Sequence, residues 1–300
     1  MKAIWYQTLI YLLIMMIGYL FKKIKLLKAT DSNVLATIII NLTLPCLFFS
    51  SSLGFKLNSF IILMMLLGLI ANLIMLAITY LFTSKEKPLA KGVYLISASG
   101  YDIGNFILPF TISFFSSNEV IYLSSFNVTN TIMCLGLTYV LAYYVVNHKN
   151  NFTCTDFFKQ LFSSVSLDVY LLVILLAIFK LQIPDIVIDI TKTIGSINIV
   201  LVMLMIGLKL DFSFNKQTIK PVFKILTLRL ISAFILTGIT YFLPLPKPIK
   251  SVLTITYFAP LVSVSSIYAN KLGYQGDSVA KATSLSIIIS LIISSIILSI

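Results

Sequence analysis

A chain of 300 residues that is 59% hydrophobic and only 11% charged, with a mean hydropathy of +1.02, cannot cover itself with the polar surface of a soluble protein. The net charge of +12 is spread through the connections between apolar runs, with no aromatic interleaving and no concentrated basic face, which argues against a nucleic-acid partner. Composition therefore points to an all-α integral membrane protein, with the lysines serving orientation.

A spanning helix needs about 20 mostly apolar residues. Ten such segments follow one another, at 3–21, 33–53, 59–83, 89–115, 120–146, 167–182, 186–208, 219–243, 249–270 and 279–299. The first has one lysine before it, four after it and no small-residue cleavage site, so it reads as an uncleaved span and not a signal peptide. The remaining connections leave no room for a soluble domain. Cys46, Cys134 and Cys154 form no close pair and no metal spacing, and the single histidine, His148, falls in a connection. No disulfide, metal site or cofactor is expected.

Positively charged short connections stay cytoplasmic. The odd-numbered connections hold fifteen lysines: Lys22, Lys23, Lys25 and Lys28; Lys85, Lys87 and Lys91; Lys149 and Lys159; Lys209, Lys216, Lys220 and Lys224; Lys271 and Lys281. The even connections and the N-terminus hold six: Lys2, Lys56, Lys180, Lys192, Lys247 and Lys250. Both termini are therefore expected outside a plasma membrane. The abundance of Ile, Lys and Asn points to an AT-rich bacterial genome.

The longest connection divides the chain into a five-span half at 1–147, a cytoplasmic linker at 148–166 and a second five-span half at 167–300. An odd number of spans per half means that the halves enter the membrane in opposite directions, an inverted repeat. Corresponding spans of the two halves are interrupted. The fourth carries Gly100, Gly104 and Pro109, and the ninth carries Ala259, Pro260, Ser263, Ser265 and Ser266. A proline removes a helical hydrogen bond and glycines lower the cost of unwinding. Freed backbone groups survive in a membrane only when buried in protein or lining an aqueous cavity. Paired interruptions therefore predict a substrate crossing, where the N-termini of the half-helices suit an anion.

Asp102 lies in the fourth span, where an acidic residue costs about 2.5–3.5 kcal/mol on insertion scales and is normally turned inward for function. Arg229, the only arginine, lies in the eighth span, either as its partner or snorkelling toward the membrane face. Asn105 follows Gly104. Asn41 with Pro45 in the second span, Asn127, Thr129 and Asn130 in the fifth, and Asn198 in the seventh are further polar residues at depth, suited chiefly to interhelical hydrogen bonds. The Asn-x-Thr matches at Asn41, Asn127 and Asn151 fall in spans or in a cytoplasmic connection and carry no glycosylation.

These residues resemble the auxin efflux carrier family of membrane transporters, whose bacterial members include malate and malonate permeases. The resemblance rests on L-P-C-L-F-F after Asn41, G-Y-D-I-G-N-F-I-L-P in the fourth span, I-G-L-K-L at the end of the seventh, and A-P-L-V-S-V-S followed by Y-A-N-K-L-G in the ninth. Gly104 and Pro109 match the first glycine and the proline of the family's N-T-G-x-x-G-x-P. Asp102 stands in place of its asparagine, and Ile107 in place of its second glycine. The resemblance implies two crossing broken helices that bind an organic anion, with an extra acid at the crossing.

The leading expectation is a secondary transporter of a small organic anion working by alternating access, coupled to protons, to sodium or to neither. No phosphate-binding G-x-x-x-x-G-K-S/T motif is present. A channel remains an alternative on sequence grounds, whereas a membrane-embedded enzyme or receptor lacks the catalytic set or signalling domain it would need. The expected substrate-binding and coupling residues are Asp102, Gly104, Asn105, Pro109, Asn41, Pro45, Asn130, Pro260, Ser263, Ser265 and Arg229. The expected partners are the lipid bilayer, the organic anion with a proton or sodium ion, and a second copy of the chain in a homodimer.

Overall fold

The computed structural model describes residues 2–51, 59–112, 114–147, 183–211, 216–262 and 264–299, with single positions between 169 and 179. The expected linker at 148–166, with His148, Asn151 and Cys154, lies outside the described residues, as does nearly all of the expected sixth span. Every regular element among the described residues is helical. Among the described residues six helices are long and apolar enough to cross a membrane: Trp5–Lys23, Ala29–Leu47, Phe60–Phe82, Asp185–Lys209, Thr218–Phe242 and Ser278–Ser299.

In chain order these begin with α1 (Lys2–Lys23) and with α2 (Ser32–Ile38), which runs through a π turn at Ile39–Thr43 into α3 (Leu44–Ser51). Helix α4 (Phe60–Phe82) precedes the interrupted fourth span, built of α5 (Pro88–Ala98), a π turn at Ile103–Ile107 and α6 (Leu108–Thr111). Helix α7 (Ser117–Ile132) continues through a π turn at Met133–Leu137 into α8 (Thr138–Asn147). Further along the chain, α9 (Asp185–Ser196), α10 (Asn198–Lys209) and α11 (Lys216–Phe242) precede the expected ninth span, which is interrupted. That span consists of α12 (Lys247–Tyr257) and α13 (Ser265–Lys271), and α14 (Ser278–Ser299) follows.

Local chemistry sets several of these ends. Proline opens α5 and α12, where its missing N–H has no intrahelical partner to lose. At α7, Ser116 and Glu119 form a reciprocal capping box, the Ser116 N–H donating to Glu119 Oε2 over 2.8 Å.

Lipid tails are as apolar as leucine, so helices in a membrane associate by close packing of small residues. Gly18 of α1 and Gly207 of α10 abut: a Cβ on Gly18 would lie 2.3 Å from the Leu204 carbonyl oxygen, and one on Gly207 2.1 Å from that of Met15. Gly68 of α4 similarly admits α7, and Thr129 donates across that seam to the Met65 carbonyl over 2.8 Å. The outer helices leave apolar side chains exposed, among them Leu9, Leu13, Leu66, Leu73, Phe234 and Ile239. By contrast, residues 92–98 and 106–111 of the interrupted fourth span are all buried, which puts the crossing at the centre.

Candidate functional site

The two interrupted spans meet at their breaks. The first lies at residues 99–102, where Gly100 has φ of +84°, a left-handed conformation that glycine adopts without the penalty a Cβ incurs. A Cβ there would also lie 2.2 Å from Cys134 Sγ. Pro109 was expected to make this break, but it lies buried in α6, beyond the π turn at Ile103–Ile107 and within a helical run that continues through it. Gly100 makes it instead. The second break, at residues 258–264, does contain Pro260; the expected site residue Ser263 lies outside the described residues.

The breaks are tied to each other and to their neighbours through the backbone. The Asp102 N–H donates to the Pro260 carbonyl over 3.1 Å. Asn130 pairs with both backbone groups of Tyr101, accepting from its N–H at 3.1 Å and donating to its carbonyl at 2.8 Å. Ser286 accepts from the Leu261 N–H at 3.1 Å, and Ser265 donates to the Ile96 carbonyl at 3.2 Å. The N–H groups of Tyr101, Asp102 and Leu261, in and beside the breaks, are thus already engaged within the protein.

Arg229 of α11 reaches the same point. It is buried, so it does not snorkel. One terminal nitrogen donates to the carbonyls of Gly100 (2.7 Å) and Ala98 (3.4 Å), the other to those of Ala259 (2.6 Å) and Pro260 (3.0 Å). The guanidinium carbon stands 5.9 Å from the centre of the Tyr101 ring. One planar cation therefore spans both breaks.

A cavity of 260 Å³ begins at this crossing. Asp102 and Asn105 line it from the fourth span, with Asn105 Nδ2 donating to Asp102 Oδ1 over 3.1 Å, and Ser266 lines it from the ninth. Lys209 at the end of α10, Asn33 at the start of α2, and Thr283 and Ser284 near the start of α14 complete its polar wall. Those helix ends adjoin connections carrying Lys22, Lys23, Lys25, Lys28 and Lys271, so the cavity runs toward the lysine-rich face. Aromatic rings pack about the crossing. Tyr101, Phe126 and Tyr257 pack mutually with centroids 5.7–6.3 Å apart, and Phe110 contacts Tyr11, Phe106 and Phe114 at 5.8–6.2 Å.

Of the expected site residues, Asp102 and Asn105 line the cavity, whereas Pro260, Ser265, Asn130 and Arg229 build the crossing behind it. Gly104, in the π turn, has no neighbour closer to a Cβ position than Asn127 Nδ2 at 3.8 Å, so close packing does not require a glycine there. Asn41 is exposed and bonds the Thr37 carbonyl of its own helix at 2.9 Å, and Pro45 lies half-buried in α3; neither reaches the cavity. Asn198 accepts from Thr43 at 2.6 Å, which joins α10 to the π turn of the second span.

Lys209 and Ser266 were absent from the expected set. The lysine had been counted with a connection because it ends an apolar run, and only the fold places it beside Asp102. The I-G-L-K-L match around it was the available signal. Among the described residues no group of three or more His, Cys, Asp or Glu could hold a metal ion.

Comparison with known families gives one match: the family model described as membrane transport protein matches residues 4–153. No curated protein matches the chain significantly.

Proposed function

The chain belongs to the membrane transport protein family, that of the auxin efflux carriers, and from this premise we propose that it is a secondary transporter of a small organic anion. It carries its substrate across a bacterial plasma membrane by alternating access, with both termini outside and ten spans arranged as two inverted five-helix repeats around the crossing.

The observation that carries this reading is the cavity that reaches the crossing. It leads to Asp102 from the lysine-rich face, and in this reading the aromatic rings packed about the crossing close the other side. A channel conducts through a path open at both ends at once, whereas a carrier exposes its site to one side at a time. Under the positive-inside rule the open side is cytoplasmic.

The cavity supports both the substrate class and a coupling scheme. Lys209 supplies the cation that meets a carboxylate, and Asn105, Ser266 and Thr283 supply hydrogen-bonding groups to orient it. With Asp102 ionised, the Asp102 and Lys209 charges cancel, and an entering carboxylate gains little. With Asp102 protonated, the wall carries one net positive charge and suits a monoanion, such as the singly protonated form of malate or malonate. A proton and an anion would then load together, and the neutralised complex would be the form that rearranges.

The experiment is uptake of labelled malate or malonate into proteoliposomes under an imposed pH gradient, comparing the native protein with Asp102→Asn. The expected result is gradient-driven uptake in the native protein, and in the variant loss of the gradient's effect with counterflow exchange retained. If neither protein moves a carboxylate, the substrate class is wrong. Equal uptake by both proteins, with or without the gradient, would remove the coupling role of Asp102.

A further inference from the structure

The Arg229 contacts reach beyond that reading. Where two unwound segments face each other in a transporter, their free carbonyls form the kind of oxygen cage that coordinates a coupling cation. Here the carbonyls of Ala98 and Gly100 from one break and of Ala259 and Pro260 from the other converge within 3.4 Å of one guanidinium. Arg229 is buried, has two donating nitrogens split evenly between the breaks, and approaches from a helix that belongs to neither interrupted span.

We propose that Arg229 is a tethered cation occupying the crossing's own cation site, so that the two breaks are held by a charge that never dissociates and the protein needs no sodium or other metal ion there. The site's ligand class is a planar monovalent cation donating hydrogen bonds to four backbone carbonyls in two opposed pairs. The chain supplies that ligand itself.

The geometry distinguishes this from an ordinary buried arginine. A structural arginine normally meets a carboxylate in a bidentate pair. The Arg229 fork instead divides its donors between two chain segments about 160 residues apart in sequence, as a metal ion shared by both would do. The Asp102 N–H bonds the same Pro260 carbonyl that Arg229 uses. Removing the guanidinium should leave four carbonyls facing an emptied cation-sized site, which a diffusible cation can enter.

The consequence for coupling rests on the carrier reading, but the site itself can be tested without a substrate. Thermal unfolding midpoints are measured on the purified full chain in detergent, in choline chloride, sodium chloride and millimolar guanidinium or methylguanidinium at matched ionic strength. The native protein is expected to give one midpoint in all of them. Arg229→Ala should lose several degrees in choline chloride and regain at least half of that loss when guanidinium, methylguanidinium or sodium is supplied.

A native midpoint raised specifically by sodium would overturn the proposal, as would an Arg229→Ala midpoint indifferent to every cation. If Arg229→Ala does not fold, Arg229→Lys and Arg229→Gln keep the test decisive. Lysine should hold the midpoint nearer the native value than glutamine, and equal losses in the two would mean that charge at the crossing is not what matters. Uptake assays then separate the two readings. Malate uptake that persists with sodium replaced by choline supports the tethered cation, and uptake driven by a sodium gradient overturns it. A native protein that moves no carboxylate in any salt overturns the substrate class instead, with the thermal data still deciding the site.

Discussion

The two breaks do the same thing to the backbone by different means. In the fourth span a left-handed Gly100 turns the chain, Asn130 occupies both backbone groups of Tyr101, and the segment delivers an acid, Asp102, to the cavity. In the ninth, Pro260 lies in a longer irregular stretch, Ser286 takes the Leu261 N–H, and the segment delivers only the neutral Ser266. Both present carbonyls to Arg229. Equivalent backbones with unequal side chains separate two tasks: the pairing of breaks makes the pivot, and the fourth span alone places a charged group beside the bound ligand.

The first way to break this arrangement is at Gly100. Alanine there must hold a left-handed φ and place its Cβ 2.2 Å from Cys134 Sγ. Together, strain and overpacking should cost about 2–5 kcal/mol, seen as a large drop in thermal midpoint and in folded yield. Gly100→Ala combined with Cys134→Ala should recover the packing part and leave the backbone part. Recovery to the native midpoint would mean that the φ angle carries no cost.

Next in size is Asn130→Ala. It strands the Tyr101 N–H and carbonyl in a buried setting at about 1–3 kcal/mol for each unsatisfied group. Asn130→Asp retains an acceptor for the N–H but loses the donor to the carbonyl, and places a second carboxylate near Asp102, so it should be no milder. A thermal midpoint for Asn130→Ala within a degree of the native one would show that the first break does not depend on this brace.

Lys209→Gln acts on the cavity and leaves the pivot alone. If the lysine meets the substrate carboxylate, the expected change is a KM raised about tenfold, equivalent to about 1.4 kcal/mol, with the thermal midpoint unchanged because the side chain is exposed. Loss of stability without loss of affinity would reverse that assignment.

Much of this was legible before any coordinates, and the parts that were not share a cause. The first, third, seventh and tenth expected spans lie within two residues of α1, α4, the α9–α10 pair and α14, since long apolar runs between lysines leave few other boundaries. The interruptions in the fourth and ninth spans were visible as glycine and proline in apolar surroundings. What escaped was which breaker acts, because φ at Gly100 is set by what Cys134 and Asn130 place around it, and nothing within the fourth span records those neighbours. Lys209 escaped for the same reason: it lies over a hundred residues from Asp102 and shares a wall with it only after folding. The sequence leaves Arg229 either as the partner of Asp102 or snorkelling toward the membrane face; in the fold it is buried and donates to backbone carbonyls, which carry no signature of their own in a sequence.

The smallest expected effect sharpens the comparison most. Gly104 matches the family's motif glycine, yet its φ is ordinary and its Cβ position is clear, with Asn127 Nδ2 at 3.8 Å and Leu44 Cδ2 at 3.9 Å. Alanine at that position should therefore leave the thermal midpoint unchanged or raise it, by up to about 0.5–1 kcal/mol from the backbone freedom that glycine loses on folding. Two glycines four residues apart in one interrupted span would then differ by several kcal/mol in what they contribute to the resting structure. If Gly104→Ala is as stable as the native chain but transports more slowly, the motif glycine is required by the rearranged conformation, where the π turn at Ile103–Ile107 repacks. If it is stable and transports at the native rate, no step of the cycle needs a glycine there, and the conformational demand of this span rests on Gly100.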